Sequence, residues 1–191
     1  TKERLLGIEN EVEYARRGVS YCAICDGGLY KGKDVIVIGG GNSAFEESIY
    51  LAGLVKHVTI VVRADKARAE DRIVKQVEAL DNVTVLYNHD SKAMLADGTH
   101  ITGLTVHDKV NDKTYDIEGE GIFPYIGADP LTEMLKGYCE LNARNYVEAS
   151  DKMETTVKGL FTAGDINDKG LRQVVTATSD GAIAAQAAFE Y

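Results

Sequence analysis

Cys22 and Cys25 stand with two residues between them in Cys22-Ala23-Ile24-Cys25-Asp26-Gly27. At this spacing two sulfurs can close a small disulfide, and the arrangement suits a dithiol that cycles rather than stays buried. Asp26 follows directly, a carboxylic acid placed to move the proton that thiolate formation releases. Two other readings stay open from the residues alone: half of a zinc site, and a pair of inert buried cysteines. Zinc needs another pair of ligands, and Cys139 and the four histidines (His57, His89, His100 and His107) show no second spacing motif. No metal ligands are assigned. Cys139 reads as an ordinary thiol, and the histidines as structural or solvated.

A second group able to do chemistry is Gly39-Gly40-Gly41-Asn42-Ser43-Ala44, a G-x-G-x-x-A turn after an apolar run and before a helical pattern. The glycines allow a tight turn and let main-chain N–H groups close on a pyrophosphate at the positive end of a helix. In that strand-turn-helix setting the motif points to dinucleotide binding by Gly39, Gly41, Asn42, Ser43 and Ala44. An NAD site usually carries an acidic residue at the end of the following strand; here Arg63 stands there, with Arg68 beyond it. A guanidinium pairs with a 2′-phosphate that a carboxylate repels, so NADPH is favoured, the alternative being two solvated charges.

A third group is Ala163-Gly164-Asp165, with Arg172-Gln173 at the head of the last helix. The Asp165 carboxylate can accept hydrogen bonds from sugar or ribityl hydroxyls, and amides at a helix start stabilise negative charge on a flavin edge. Read alone, the segment is equally a plain turn.

These residues need elements to hold them. Val35-Ile36-Val37-Ile38 is a continuous apolar run, the pattern of a strand buried on both faces. A helix over 42–54 and a strand over 57–63 complete a βαβ unit. A helix over 69–80, with Ile73, Val77 and Leu80 at helical spacing, and a strand over 83–87 follow. Residues 100–107 and 113–117 read as antiparallel strands across the turn Val110-Asn111-Asp112-Lys113. Ile122 to Gly127 is a short strand whose Pro124 sets it at a sheet edge or a strand end. Ile126 and Gly127, at its close, join the candidate cofactor-binding residues. Gly159 to Asp165 reads as another strand, Leu171 to Phe189 as an alanine-rich helix, and Thr1 to Ser20 as a charged lead-in without a strand.

The whole-chain numbers narrow the class. In 191 residues, 30 acidic side chains face 21 basic ones, a net charge of −9. That balance argues against a partner made of nucleic acid or an anionic membrane. No apolar run approaches the ~18 residues a bilayer span needs. The start, Thr1-Lys2-Glu3-Arg4, lacks the pattern of a signal peptide. Three cysteines do not make a disulfide-stapled secreted fold. A cytoplasmic protein is expected.

Taken together, Gly18-Val19-Ser20-Tyr21-Cys22-Ala23-Ile24-Cys25-Asp26-Gly27 and the run Lys33 to Ala44 resemble the bacterial low-molecular-weight thioredoxin reductases. Gly159 to Asp165 and Arg172-Gln173 look like that family's flavin-binding segments. The resemblance implies an α/β fold of the Rossmann-like FAD/NAD(P)-binding type: a parallel sheet with an antiparallel meander, plus part of a second, FAD-binding domain. It implies FAD and NADPH as cofactors, thioredoxin as partner and a homodimer. Cys25 would lie nearest the flavin, Cys22 would attack thioredoxin, and Asp26 would donate the proton. Gly164, Asp165, Arg172 and Gln173 fall in the flavin segments, while Gly39, Gly41, Asn42, Ser43, Arg63 and Arg68 would hold NADPH.

The resemblance also implies boundaries: a linker over 1–7, an NADPH-binding domain with the cysteine pair over 8–119, and the C-terminal portion of an FAD-binding domain over 120–191. The family's first FAD-binding segment, with its own G-x-G-x-x-G, is not among these residues. The 8–119 region is therefore expected to fold on a core of its own, and the 120–191 region to be poorly anchored and weak for FAD. One local departure concerns the cofactor. Family members often read His-Arg-Arg where this chain has Val62-Arg63-Ala64, so one phosphate-binding arginine is absent. A related flavoprotein that feeds a peroxiredoxin or glutaredoxin-like acceptor, and a nucleotide-binding module without turnover, are the alternative readings.

Overall fold

The computed structural model describes residues 1–191. In chain order the strands are β1 (Lys2–Glu3), β2 (Asp34–Ile38), β3 (His57–Val62), β4 (Val83–Tyr87), β5 (His89–Ala96), β6 (Ile101–Asp108), β7 (Lys113–Glu118), β8 (Gly121–Pro124) and β9 (Ala128–Asp129). The helices are α1 (Ala23–Asp26), α2 (Asn42–Ala52), α3 (Asp71–Glu78) and α4 (Val174–Glu190). They divide into two units, Arg4–Gly127 and Thr1–Glu3 with Ala128–Tyr191. No helix is long and apolar enough to cross a membrane.

The Arg4–Gly127 unit is built on a four-stranded parallel sheet in the order β4-β3-β2-β8. Its register pairs Val37 with Ile60 on one side and with Phe123 on the other. Successive side chains of a strand point to opposite faces, and β2 shows why its run is unbroken. Val35 and Val37 enter a core with Ala44, Phe45 and Leu51 of α2 and Ile73 and Val77 of α3. Ile36 and Ile38 enter a second core with Met94, Leu104 and Val106 of the three-stranded antiparallel sheet β5-β6-β7. Helices cover one face and the meander covers the other.

Several boundaries differ from those read in the sequence. The strand over 121–124, assigned there to the C-terminal domain, pairs with β2 and supplies Ile122 and Phe123 to the two cores. The unit therefore closes at Gly127, not at Gly119. Pro124 ends β8, as its missing N–H requires. The outer edge of β8 is taken by the segment before the cysteines: Ser20 N–H donates to the Ile122 carbonyl, and Ile122 N–H to that of Gly18. Residues 4–7, expected as part of a linker, also belong to this unit. Tyr14 and Val19 lie in the meander-side core, and the buried Glu11 carboxylate accepts from the N–H groups of Leu6 and Gly7 and from the Tyr21 hydroxyl. Strand β5 completes a meander for which the sequence reading supplied two strands. Its register slips at Ser91/Ala93 and Leu95/Ala96 break the alternation that would reveal it.

In the second unit β1 and β9 pair antiparallel, so the lead-in does contain a two-residue strand. Most of residues 130–173 is turns joined by single bridges, such as Leu141 with Val147 and Glu154 with Phe161. The strand expected over 159–165 does not form. Gly159 and Gly164 both adopt left-handed backbone (φ +78° and +87°), which leaves Phe161 one isolated bridge. Helix α4 begins at Val174, three residues later than expected. Gln173 caps it in a reciprocal box with Thr176. Asp180 is its only buried residue, while Val174 and Phe189 are more than four-fifths exposed.

The boundary at Gly127 can be tested through Phe123, which is fully buried and meets Tyr30 edge-on at 5.4 Å. Phe123→Ala should destabilise the Arg4–Gly127 unit by about 3–5 kcal/mol, read as lost amide protection in β2 and β3. Protection lost in α4 alone would return β8 to the other unit.

Candidate functional site

The segment 18–20 runs beside β8 and delivers the chain into α1, a single turn that begins at its N-cap, Cys22. Cys22 and Cys25 form a disulfide with Cα atoms 5.3 Å apart. Cys25 N–H donates to Cys22 Sγ at 3.2 Å, so a thiolate released there would find a helix-start amide already aimed at it. Cys25 is exposed and Cys22 half-buried, which sets aside the reading of two inert buried thiols. No group of metal-ligating side chains is assembled here or elsewhere. The Ser20 hydroxyl donates to Asp26 Oδ2 at 2.6 Å and accepts from Cys22 N–H at 3.2 Å, tying the carboxylate to the turn.

The turn is anchored by a residue that the sequence reading left out. Ala23 is fully buried, and its N–H, between the two sulfurs in sequence, donates to the Tyr125 hydroxyl at 2.7 Å. Burial pushes the Tyr125 phenol well above the ordinary tyrosine range; the Ala23 N–H works against that, and the Glu47 and Asp26 carboxylates add to it. The hydroxyl is therefore a neutral acceptor. Tyr30 is raised in the same way, first by burial and then by Asp26. Glu47 of α2 has a buried oxygen, Oε2, with no hydrogen-bond partner, and burial, then the charge of Glu46, raises its carboxyl.

Tyr125 is also where the glycine loop comes in. Its N–H donates to the Ile38 carbonyl at 2.7 Å, and its own carbonyl occupies the space a Cβ on Gly39 would need. Gly39 has φ +150°, so both space and backbone require glycine. A Cβ on Gly40 would meet Val62 Cγ1 at 2.9 Å, whereas Gly41, the N-cap of α2, faces open space. The first-turn amides of α2 thus stand at the mouth of a bare main-chain cradle, which fits a pyrophosphate. Ser43 is exposed there, and Ala44 is buried against the sheet. The Asn42 side chain is already engaged: it accepts from Glu70 N–H at 2.9 Å and donates to Glu70 Oε1 at 3.2 Å, joining the starts of α2 and α3.

Arg68 and Ala69 donate their N–H groups to the Gly40 carbonyl at 2.6 and 3.1 Å, which brings the arginine-bearing loop onto the glycines. Arg63 and Arg68 are both exposed and neither guanidinium has an ion-pair partner. Ile126 packs on the meander-side core, and the Gly127 carbonyl accepts from Arg4 N–H at 3.0 Å. The cysteine pair, Asp26, the glycine loop, both arginines, Ile126 and Gly127 therefore belong to one unit. Gly164, Asp165, Arg172 and Gln173 belong to the other.

In that second unit the Gly164-Asp165 turn is organised by Asp180. Its Oδ2 accepts from Gly164 N–H at 3.0 Å, from Asn167 Nδ2 at 3.4 Å and from Lys169 Nζ at 2.6 Å. Arg172 stacks on Tyr146 with its guanidinium 4.2 Å from the ring centre and donates to the carbonyls of Asp165 and Asn167. Asp165 Oδ1 is buried without a partner. An unsatisfied carboxylate oxygen on this turn fits a hydroxyl donor such as the ribityl chain of a flavin. Asp180, Asn167 and Lys169 were not read from the sequence; the available signal was a lone mid-helix carboxylate in an alanine-rich segment.

Burial opposes ionisation of Asp180, yet Lys169, Gly164 N–H and Asn167 together hold its carboxyl below the ordinary aspartate value. A carboxyl that titrates lower when folded stabilises the fold above its unfolded value and loses that contribution as pH falls through the folded one. Protection of the Gly164 amide from hydrogen exchange should be full at pH 7 and decline below about pH 4. Asp180→Asn should cost about 1–3 kcal/mol at neutral pH and remove most of that acid dependence. A variant that keeps the wild-type acid profile contradicts the assignment.

Comparison with known proteins agrees with this geometry. Residues 1–181 match the family model described as pyridine nucleotide-disulphide oxidoreductase. A thioredoxin reductase of Bacillus subtilis is 44% identical over 188 residues, covering 97% of this chain and 59% of the relative. An alkyl hydroperoxide reductase subunit of Escherichia coli is 40% identical over 190 residues, covering 100% of this chain and 36% of the relative. The crystal structure of thioredoxin reductase from Streptococcus pyogenes superposes with a TM-score of 0.91 at 36% identity, covering 100% of this chain and 62% of that one. The chain thus spans less than two thirds of the length of these relatives, and it belongs to the pyridine nucleotide-disulphide oxidoreductase family.

Proposed function

We propose that these residues are the nucleotide-binding and disulfide-bearing part of a thioredoxin reductase, with FAD and NADPH as cofactors and thioredoxin as acceptor. The observation that carries the reading is the accessible Cys22–Cys25 disulfide, pinned through Tyr125 to the strand end that also shapes the glycine loop. The name of the 44% identical relative supports it. The composition supports placing the protein in the cytoplasm, and the family resemblance supports a homodimer.

In this reading the Gly39–Ala44 loop holds the pyrophosphate of NADPH, and Arg63 and Arg68 meet the 2′-phosphate. Gly164, Asp165, Arg172 and Gln173 take the flavin, Asp165 Oδ1 through a ribityl hydroxyl; Ile126 and Gly127 are read as cofactor-binding residues of the other unit. Held by those residues, FAD would supply two-electron redox chemistry between NADPH and the disulfide. Two-electron reduction of the Cys22–Cys25 bond would leave one thiolate and one thiol, with Asp26, held by Ser20, handling the proton that one sulfur takes up. The Cys22 thiolate then attacks one sulfur of the oxidised partner and expels the other as a thiolate. Cys25 attacks Cys22 in the mixed disulfide, restoring the bond seen here and releasing the partner as a dithiol.

A peroxiredoxin-linked acceptor is the competing assignment, favoured by the alkyl hydroperoxide reductase components among the relatives. A nucleotide-binding module without turnover is the other.

Thioredoxin-dependent NADPH oxidation by the flavin-loaded protein separates the three. Cys22→Ser and Cys25→Ser should each lower that turnover by about 1,000-fold or more while NADPH affinity stays within about twofold. Nucleotide binding without turnover by the intact protein would support the module. Turnover with a peroxiredoxin-reducing partner but none with thioredoxin would support the other acceptor.

A further inference from the structure

A 2′-phosphate is a dianion, and of the two arginines read as meeting it only Arg63 stands at the end of β3, with Arg68 on the loop beyond. The residue after Arg63 is Ala64, which brings no charge. The structure brings a cation to the same place from the turn after β6. The Lys109 ammonium donates to the main-chain carbonyl of Arg63. Lys109 N–H donates to the Asn88 carbonyl at 3.0 Å, and Asn88 N–H to the Ala64 carbonyl at 2.9 Å. Residues 63, 64, 88 and 109 are thus linked by three hydrogen bonds, one of them made by the charged group itself.

The ammonium is not neutralised there. Asp90 Oδ1 lies 3.7 Å from it, but the same carboxylate has Lys92 3.7 Å from its other oxygen. Two cations share one anion, which leaves one positive charge. Of the three ammonium protons the Arg63 carbonyl takes one, and the Lys109 side chain remains 38% exposed. The neighbouring Arg63 guanidinium is exposed and unpaired.

We propose that Lys109 is a specificity-determining residue of the nucleotide site: a third cation of the 2′-phosphate pocket, beside Arg63 and Arg68. The inference rests on the reading that the glycine loop holds a nicotinamide dinucleotide. One added cation facing a dianion in a solvated site strengthens its binding about three- to fivefold. NADH, without the 2′-phosphate, does not receive that gain.

The test is titration of NADPH and NADH against the whole chain, in wild type, Lys109→Gln and Lys109→Glu, with folding checked by circular dichroism. The NADPH-to-NADH preference should fall about three- to fivefold in K109Q and about tenfold or more in K109E. The wild-type preference should shrink as salt is raised. A preference unchanged in both folded variants, whether the two affinities hold or weaken together, overturns the inference and makes Lys109 a loop brace only. A wild-type chain that binds both equally overturns the inference alone, whereas one that binds neither nucleotide overturns the nucleotide-site reading as well and so marks a different failure.

Discussion

The Tyr125 carbonyl occupies the space a side chain on Gly39 would take, and the chemistry of the Arg4–Gly127 unit is arranged around that close approach. It follows from the parallel pairing of β2 with β8, which ends in the hydrogen bond from Tyr125 N–H to the Ile38 carbonyl. One strand end then serves two purposes. Its backbone sets the glycine turn that opens α2, and its phenol holds the buried amide between the two cysteines. Parallel sheets gather ligands at the carboxyl ends of their strands. Here the disulfide is fastened to that same end.

In the second unit the equivalent constraint is ionic. Gly164 takes a left-handed turn no β-branched residue would tolerate, and Asp180 receives its N–H together with the Lys169 ammonium. The side chain after that glycine, Asp165, is left with a buried oxygen that no protein group satisfies. Native proteins rarely leave such an atom without a purpose. The largely exposed face of α4, with Val174 and Phe189 standing free, belongs to the same unit.

What could be read from the sequence was what the chain keeps local. The Val35–Ile38 run announced a strand covered on both faces, and it lies between α2 and α3 on one side and the meander on the other. The cysteine pair and the glycine turn are each complete within a few residues, so their types and spacing were visible without a fold. Tyr125 and Asp180 were not visible, because their partners lie 102 and 16 residues away. Strand β5 escaped because two register slips spoil its period. The strand expected over 159–165 failed because glycines that looked like strand ends hold left-handed turns. The boundary near Gly119 was misplaced for a similar reason: β8 contributes two core residues to a sheet whose other strands lie at least 30 residues earlier in the chain.

The central claim is that electrons delivered by a nucleotide at the glycine loop end in the Cys22–Cys25 bond. The most direct measurement is an anaerobic count of free thiols in the flavin-loaded protein before and after one equivalent of NADPH. The account predicts two new thiols per chain, mapping to Cys22 and Cys25 and absent when the nucleotide is omitted. Consumption of NADPH with both sulfurs still bonded to each other would contradict it.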